Sequence, residues 1–326
     1  MQAITYDTPG DPDVLHLRDM PDPVPGPEQL LVRVRATALN RADTMQRRGN
    51  YPPPPGESDI LGLELSGEVE AVGADAQGFA PGDRVFGLVG GGGYAEKALI
   101  DYRMAMPIPS EWDFVKAAAV PEVFLTANET LFTLGGLQGG ETVLIHAGAS
   151  GVGTAGIQMA REAGARIFVT AGSEEKIART VELGAEAGIN YKQEDFAERI
   201  QALTNEAGVE LVQDFIGAAY WQRNLRCLKV GGRLVLVGLM GGTEVEVDLG
   251  IVMRQRLQII GSVMRSQPLD NKIAITQRFR DRWLPLLENG AMQPIIDTTF
   301  PLADAAAAHQ YMEENRNTGK IILVVD

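Results

Sequence analysis

Thr142-Val143-Leu144-Ile145-His146-Ala147-Gly148-Ala149-Ser150-Gly151-Val152-Gly153-Thr154-Ala155-Gly156 begins as a short apolar run and ends as G-x-G-x-x-G. The run has the length of a buried strand, and the residues after the glycines read as a helix to Ala163, stopped by Gly164. A glycine triplet alone is a weak signal. Between a strand and a helix it has a mechanism: glycines let the backbone approach a pyrophosphate, and the helix N-terminus offers free N–H donors and partial positive charge. The structural alternative is a glycine-rich turn of an unrelated α/β protein. The strand-to-helix context favours a dinucleotide.

Downstream, strand and helix patterns alternate. Strands are expected at Arg166–Thr170, Ala187–Tyr191, Leu211–Phe215, Arg233–Val237 and Leu257–Gly261, with helical segments between them. Ser173 is a good N-cap, with Glu174 and Glu175 in the first turn, where the helix dipole favours acid. Repeated βα units with short apolar strands predict a parallel sheet covered on both faces. Upstream, Leu30–Ala36, Leu63–Val72, Arg84–Gly87 and Tyr94–Ile100 read as strands among turns. Pro52 to Pro55 cannot join a central ladder. This half reads as a compact β-rich domain, with a partly open barrel as a candidate form. From about Asn271 the pattern gives two helical segments and a final strand, Ile321–Val325, which fits either domain.

Dinucleotide type is read at the second strand's tip. NAD sites usually place Asp or Glu there for the ribose 2′-hydroxyl. Here the tip reads Val169-Thr170-Ala171-Gly172-Ser173, without a carboxylate, and Lys176 and Arg179 come next in the helix. A hydroxyl, a loop amide and a cation suit a 2′-phosphate, so NADPH is expected. Glu174 and Glu175 complicate this unless they turn away, and Lys176 alone is equally a solvated surface charge. The same missing acid disfavours a methyltransferase.

Composition bounds the rest. The 326 residues carry 29 basic and 43 acidic side chains, a net charge of −14, which excludes a non-specific nucleic-acid binder. The single cysteine, Cys227, forbids an intramolecular disulfide and any multi-thiolate zinc site. No apolar run reaches the roughly 18 residues of a membrane span, and the first residues lack a secretory-signal pattern. The expectation is a cytoplasmic protein without membrane contact.

Several segments resemble the zinc-independent quinone oxidoreductases of the medium-chain dehydrogenase/reductase superfamily. They are Asn40-Arg41-Ala42-Asp43, Gly62-Leu63-Glu64-Leu65-Ser66-Gly67-Glu68-Val69, Gly82-Asp83-Arg84-Val85, Ala147 to Gly153, Thr170 to Ser173, Asn190-Tyr191-Lys192, Gly238 to Gly242 and Thr318-Gly319-Lys320. The resemblance covers essentially the whole chain. It implies an α/β protein with a GroES-like β-rich catalytic domain and a doubly wound Rossmann domain. The expected boundaries are residues 1–118 for the first part of the catalytic domain, 119–264 for the NADPH-binding domain and 265–326 for the return. It also implies a homodimer joined through Rossmann edge strands near Val245–Gly261. Zinc-dependent relatives place Cys and His where Asn40 and Leu63 stand, so no metal is expected.

Without a metal, the cofactor carries the hydride and the protein positions it. Charge developing on the acceptor oxygen needs a donor. His16, His146 and His309 are the only histidines; His146 reads as structural, and the other two match no family motif. Tyr51, in a loop matching the family's cleft-lining loop, is the preferred donor against a surface aromatic packed on prolines. Asn40 is carried over as a nicotinamide or substrate contact, against a turn-capping role. Asp43 reads as a brace. The resemblance further assigns Thr126, Gly148, Ala149, Ser150, Gly151, Val152, Gly153, Gly172, Ser173, Lys176, Tyr191, Leu239, Met264 and Arg265 to the cofactor. The leading function is NADPH-dependent two-electron reduction of quinones or related conjugated carbonyls. Enoyl-thioester or enone reduction and a non-catalytic, crystallin-like NADPH-binding protein are the alternatives.

Overall fold

The computed structural model describes residues 1–326. In chain order the first strands are β1 (Gln2–Thr5), β2 (His16–Asp19) and β3 (Gln29–Ala38). After α1 (Arg41–Arg47) come β4 (Glu64–Val72), β5 (Arg84–Leu88), β6 (Lys97–Asp101) and β7 (Met106–Pro107), then α2 (Phe114–Ala118) and α3 (Pro121–Ala127). The alternating middle contains β8 (Thr142–Ile145), α4 (Gly151–Glu162), β9 (Arg166–Ala171), α5 (Glu174–Leu183), β10 (Ala187–Asn190) and α6 (Phe196–Leu203). It continues through β11 (Val209–Asp214), α7 (Trp221–Cys227), β12 (Leu228–Leu236), α8 (Leu249–Arg254) and β13 (Gln258–Gly261). The tail adds α9 (Leu269–Arg282), α10 (Leu284–Glu288), β14 (Ile296–Pro301), α11 (Ala305–Glu313) and β15 (Lys320–Val324).

Two compact units result: Met1–Leu125 with Arg265–Asp326, and Thr126–Met264. The first holds a seven-stranded sheet, in the order β14-β15-β3-β4-β5-β7 with β6 also on β3. Most of its pairings are antiparallel, the GroES-like arrangement. The final strand joins this unit through Ile322 opposite Ala38 and Leu323 opposite Thr37. Beside it lies β14, parallel to β15. The sequence pattern missed β14, because Ile-Asp-Thr-Thr-Phe-Pro is half exposed and half polar.

The second unit is a six-stranded sheet in the order β10-β9-β8-β11-β12-β13, parallel throughout. This is the doubly wound order, with its reversal between β8 and β11. Period-2 alternation sends Leu144, Phe168, Ile189, Val212 and Leu234 to one face, against Phe196, Ile200, Trp221 and Leu225. Val143, Ile145, Ile167, Val169, Leu211 and Val235 face the other side, against Leu131, Ile157 and Ala160. Each large apolar side chain so buried contributes about 1.5–3 kcal/mol. Two filled cores hold rigid the strand tips from which the functional loops spring. No helix is long and apolar enough to cross a membrane.

Candidate active site

The loop from β8 to α4 is built to hold a backbone close to a ligand. Ala147 takes a left-handed conformation, φ 50°. Ser150 caps α4, its Oγ accepting from Gly153 N at 3.1 Å. The N–H groups of Gly151 and Val152, in the first turn, have no intrahelical acceptor, so they are available to an anion. A Cβ on Gly153 would sit 2.5 Å from Ala147 O and 2.6 Å from Gly148 O. A Cβ on Gly148 would sit 2.6 Å from Val169 Cβ. Gly148 N donates to Thr170 O at 2.9 Å, which ties this loop to the tip of β9.

At that tip Ser173 caps α5, accepting from Lys176 N at 3.3 Å. Gly172 lies against the phenol of Tyr191: a Cβ there would be 2.8 Å from Tyr191 Oη. Tyr191 is 41% exposed, so its ring is open to a ligand. Glu174 accepts from Asn190 Nδ2 at 3.0 Å. That bond answers the difficulty the acid posed in sequence, since Glu174 is committed to β10 and not to a ribose hydroxyl. The cradle, the open helix N-terminus, the Ser173 hydroxyl and the Tyr191 phenol fit the phosphates of a dinucleotide, and Lys176 follows in the first turn of α5.

Beneath these loops runs a buried chain that the sequence did not reveal. His146 is fully buried, with Nδ1 2.9 Å from Thr170 Oγ1 and Nε2 2.7 Å from Asn224 Oδ1. Asn224 Nδ2 donates to Asp214 Oδ2 at 3.0 Å. Asp214 in turn accepts from Ile216 N and Gly217 N. Asn224 Nδ2 must donate to the carboxylate, so Oδ1 accepts and His146 carries its proton on Nε2. Burial lowers the His146 pKa to about 4, so the ring is neutral. It braces the tips of β9 and β11 and cannot act as a general acid near pH 7.

In the first unit Asn40 is the N-cap of α1 and is buried. Its backbone N–H donates to Asp43 Oδ2 at 2.8 Å, the carboxylate half of a capping box. Asp43 also accepts from Gly62 N at 3.1 Å and faces Tyr94 Oη at 3.4 Å. Burial raises its pKa to about 6, opposed by the Asn40 and Gly62 amides. Behind it, Tyr94 Oη lies 3.1 Å from His309 Nε2, and His309 Nδ1 lies 3.1 Å from Arg47. Arginine only donates, so His309 accepts at Nδ1 and donates from Nε2 to Tyr94, leaving the phenol proton for Asp43. Burial, then the Arg47 charge, lowers the His309 pKa to about 3. Asp43 is thus held from every side.

Tyr51 is half-buried, and its hydroxyl makes no hydrogen bond within the protein. The Arg265 guanidinium carbon lies 5.5 Å from its ring centroid, within cation–π range. Arg265 also donates to Gly90 O at 2.8 Å and to Tyr51 O at 3.3 Å. Burial raises the Tyr51 pKa, with Arg265 opposing, so the phenol keeps its proton at neutral pH. Thr126 is buried at the end of α3, where its carbonyl accepts from Thr130. Leu239, beyond β12, is 47% exposed, and Met264 is half-buried at the end of the second unit. No three His, Cys, Asp or Glu side chains are grouped to hold a metal ion.

Residues 26–110 match the alcohol dehydrogenase GroES-like domain, and residues 151–280 match the zinc-binding dehydrogenase family. The quinone oxidoreductase of Pseudomonas aeruginosa is 36% identical over 99% of both chains. A crystal structure of Escherichia coli quinone oxidoreductase complexed with NADPH superposes with a TM-score of 0.91 at 28% identity, covering 99% of this chain and 100% of that one. A crystal structure described as an NAD-dependent alcohol dehydrogenase gives a TM-score of 0.89 at 34% identity, covering 100% of both chains. Identity over the whole length identifies the lineage: the chain belongs to the quinone oxidoreductase family of the medium-chain dehydrogenase/reductase superfamily.

Proposed function

We propose that this protein is an NADPH-dependent quinone oxidoreductase, transferring hydride to quinones or related conjugated carbonyls without a metal. The observation that carries the reading is the tip of β9. Ser173 and Lys176 stand there, Tyr191 lies alongside, and Glu174 is turned to Asn190. NADPH, when bound, supplies the hydride. The protein's own residues do the rest. Gly151 and Val152 offer their N–H groups to the pyrophosphate, and Ser173, Lys176 and Tyr191 hold the 2′-phosphate. Gly148, Ala149, Gly172, Thr126, Leu239 and Met264 complete the cofactor wall. Tyr51 presents an unspent phenolic proton to the acceptor oxygen, and Arg265 holds the Tyr51 loop.

Lys176→Ala weakens NADPH binding at least several-fold and leaves NADH almost unchanged; a fluorescence titration with both cofactors checks this. Equal losses for the two contradict the 2′-phosphate assignment. The acceptor class is tested by following NADPH oxidation with a quinone, an enone and an enoyl thioester. Turnover is expected with the quinone. Activity with the thioester alone overturns the reading in favour of an enoyl reductase, and none with any favours a binding protein.

The same reading includes a cytoplasmic homodimer. Residues 239–263 expose Leu239, Met240, Val245, Val247, Leu249, Met253, Ile259 and Val263. Within this segment β13 is an edge strand, bonded only to β12. Such an edge invites pairing with a second copy. Light scattering is expected to give twice the 35.1 kDa chain mass; a value equal to it removes the dimer. The lone thiol, Cys227, is buried, which suits a reducing compartment.

A further inference from the structure

The Thr318-Gly319-Lys320 segment lies outside the proposed cofactor contacts. Gly319 has φ +82°, and a Cβ on it would lie 2.2 Å from Ile295 O, so the chain passes the approach to β14 at a distance only glycine allows. Immediately afterwards Lys320 enters the interior, with its side chain 3% exposed. All three ammonium protons are spent: on Leu39 O at 2.9 Å, Asn40 Oδ1 at 2.7 Å and Glu64 Oε1 at 2.7 Å. Glu64, fully buried, takes Asn40 Nδ2 at 2.8 Å on the same oxygen and Glu122 N at 2.8 Å on the other. Asn40 thus sits between a group that only donates and a group that only accepts. Its amide has one possible orientation, Oδ1 to Lys320 and Nδ2 to Glu64. The second Nδ2 proton has only Ala38 O, at 3.4 Å.

A buried ion pair is a poor source of stability, since apolar residues of the same volume often do as well. Fixing a neighbour's orientation is a better account of this one. We propose that Lys320 is a positioning residue for Asn40: its ammonium locks the amide so that the weakly held N–H, and not the oxygen, is offered to a carbonyl of the bound nicotinamide or acceptor. The assignment rests on the proposed function and on Asn40 as a ligand contact. Without the Lys320–Glu64 pair the amide can turn over, and an oxygen then faces an oxygen. The effect belongs to the reaction and not to cofactor affinity, because the 2′-phosphate and pyrophosphate contacts are untouched.

The test uses Lys320→Met together with Glu64→Gln, which removes the ion pair without stranding a carboxylate. Steady-state turnover with NADPH and a quinone is measured for the paired variant, for Asn40→Ala and for the triple variant. The paired variant is expected to lose about tenfold in kcat. Its NADPH dissociation constant should stay within about twofold, and adding Asn40→Ala should cost nothing further. Losses that multiply in the triple variant, or an unchanged kcat, overturn the proposal. A second readout does not depend on activity. The Asn40 side-chain NH2 resonance, identified by its loss in Asn40→Ala, should move or double in the paired variant. An unmoved resonance contradicts the locking. Should wild-type protein fail to turn over quinone, the functional reading fails, and the resonance still decides whether the Lys320–Glu64 pair holds the amide.

Discussion

Gly153→Val should weaken NADPH binding at least tenfold, about 1.4 kcal/mol. The cause is backbone geometry. Any Cβ at this position lies 2.5 Å from Ala147 O and 2.6 Å from Gly148 O, well inside contact distance. These oxygens belong to the turn itself, which cannot yield as a flexible side chain would. Either α4 tilts away from β8, or the loop shifts and moves the Gly151 and Val152 amides off the pyrophosphate. Both outcomes act on the cofactor before any chemistry. Isothermal titration of the folded variant, with its melting temperature recorded alongside, checks the effect. An affinity within twofold of wild type, in a protein that melts normally, removes the glycine loop from the binding site. Sequence reasoning singled out this residue for a narrower reason, approach of the ligand to bare backbone. The structure adds that α4 itself needs the glycine to lie against its own loop.

Tyr51→Phe is expected to lower kcat about tenfold or more while NADPH affinity holds, a loss of about 1.36 kcal/mol per factor of ten. The substitution keeps the ring against Arg265 and removes only the hydroxyl. That hydroxyl has no partner within the protein, so its removal leaves no donor or acceptor stranded. Because burial raises the phenol pKa, the donor form persists through neutral pH and is lost only as pH climbs above the ordinary tyrosine value. Wild-type turnover should therefore show no acid limb from this residue. His146 and His309, with pKa values lowered to about 4 and about 3, add none near pH 7. Unchanged kcat and KM in Tyr51→Phe would assign protonation of the acceptor to water.

The legible part of the fold reflects local physics. Strands β8 and β9 were readable because each is covered on both faces, so their apolar residues form short continuous runs. Ser173 was readable as a cap because capping is a contact across three residues; the Ser150 cap of α4 came from the structure. By contrast, β12 begins at Leu228, earlier than the apolar run from Arg233 suggests, because Gly231 and Gly232 interrupt the pattern but not the strand. The sequence placed β6 too early, since Tyr94 to Glu96 lie outside it; Ala3 nevertheless bridges Ala95. The Asn40–Glu64–Lys320 cluster and the Arg47–His309–Tyr94–Asp43 chain join residues from opposite ends of the chain. No periodicity encodes such a meeting. The signal available was the oddity of charged residues in apolar surroundings: Glu64 beside Leu63 and Leu65, and Lys320 opening Ile-Ile-Leu-Val.

The most direct measurement is NADPH oxidation by a quinone after exhaustive dialysis against a strong chelator, run beside NADH at equal concentration. Full activity without added metal is expected, with a much lower kcat/KM for NADH. Activity that dialysis abolishes and zinc restores, or NADH serving as well as NADPH, contradicts a metal-free, NADPH-dependent enzyme.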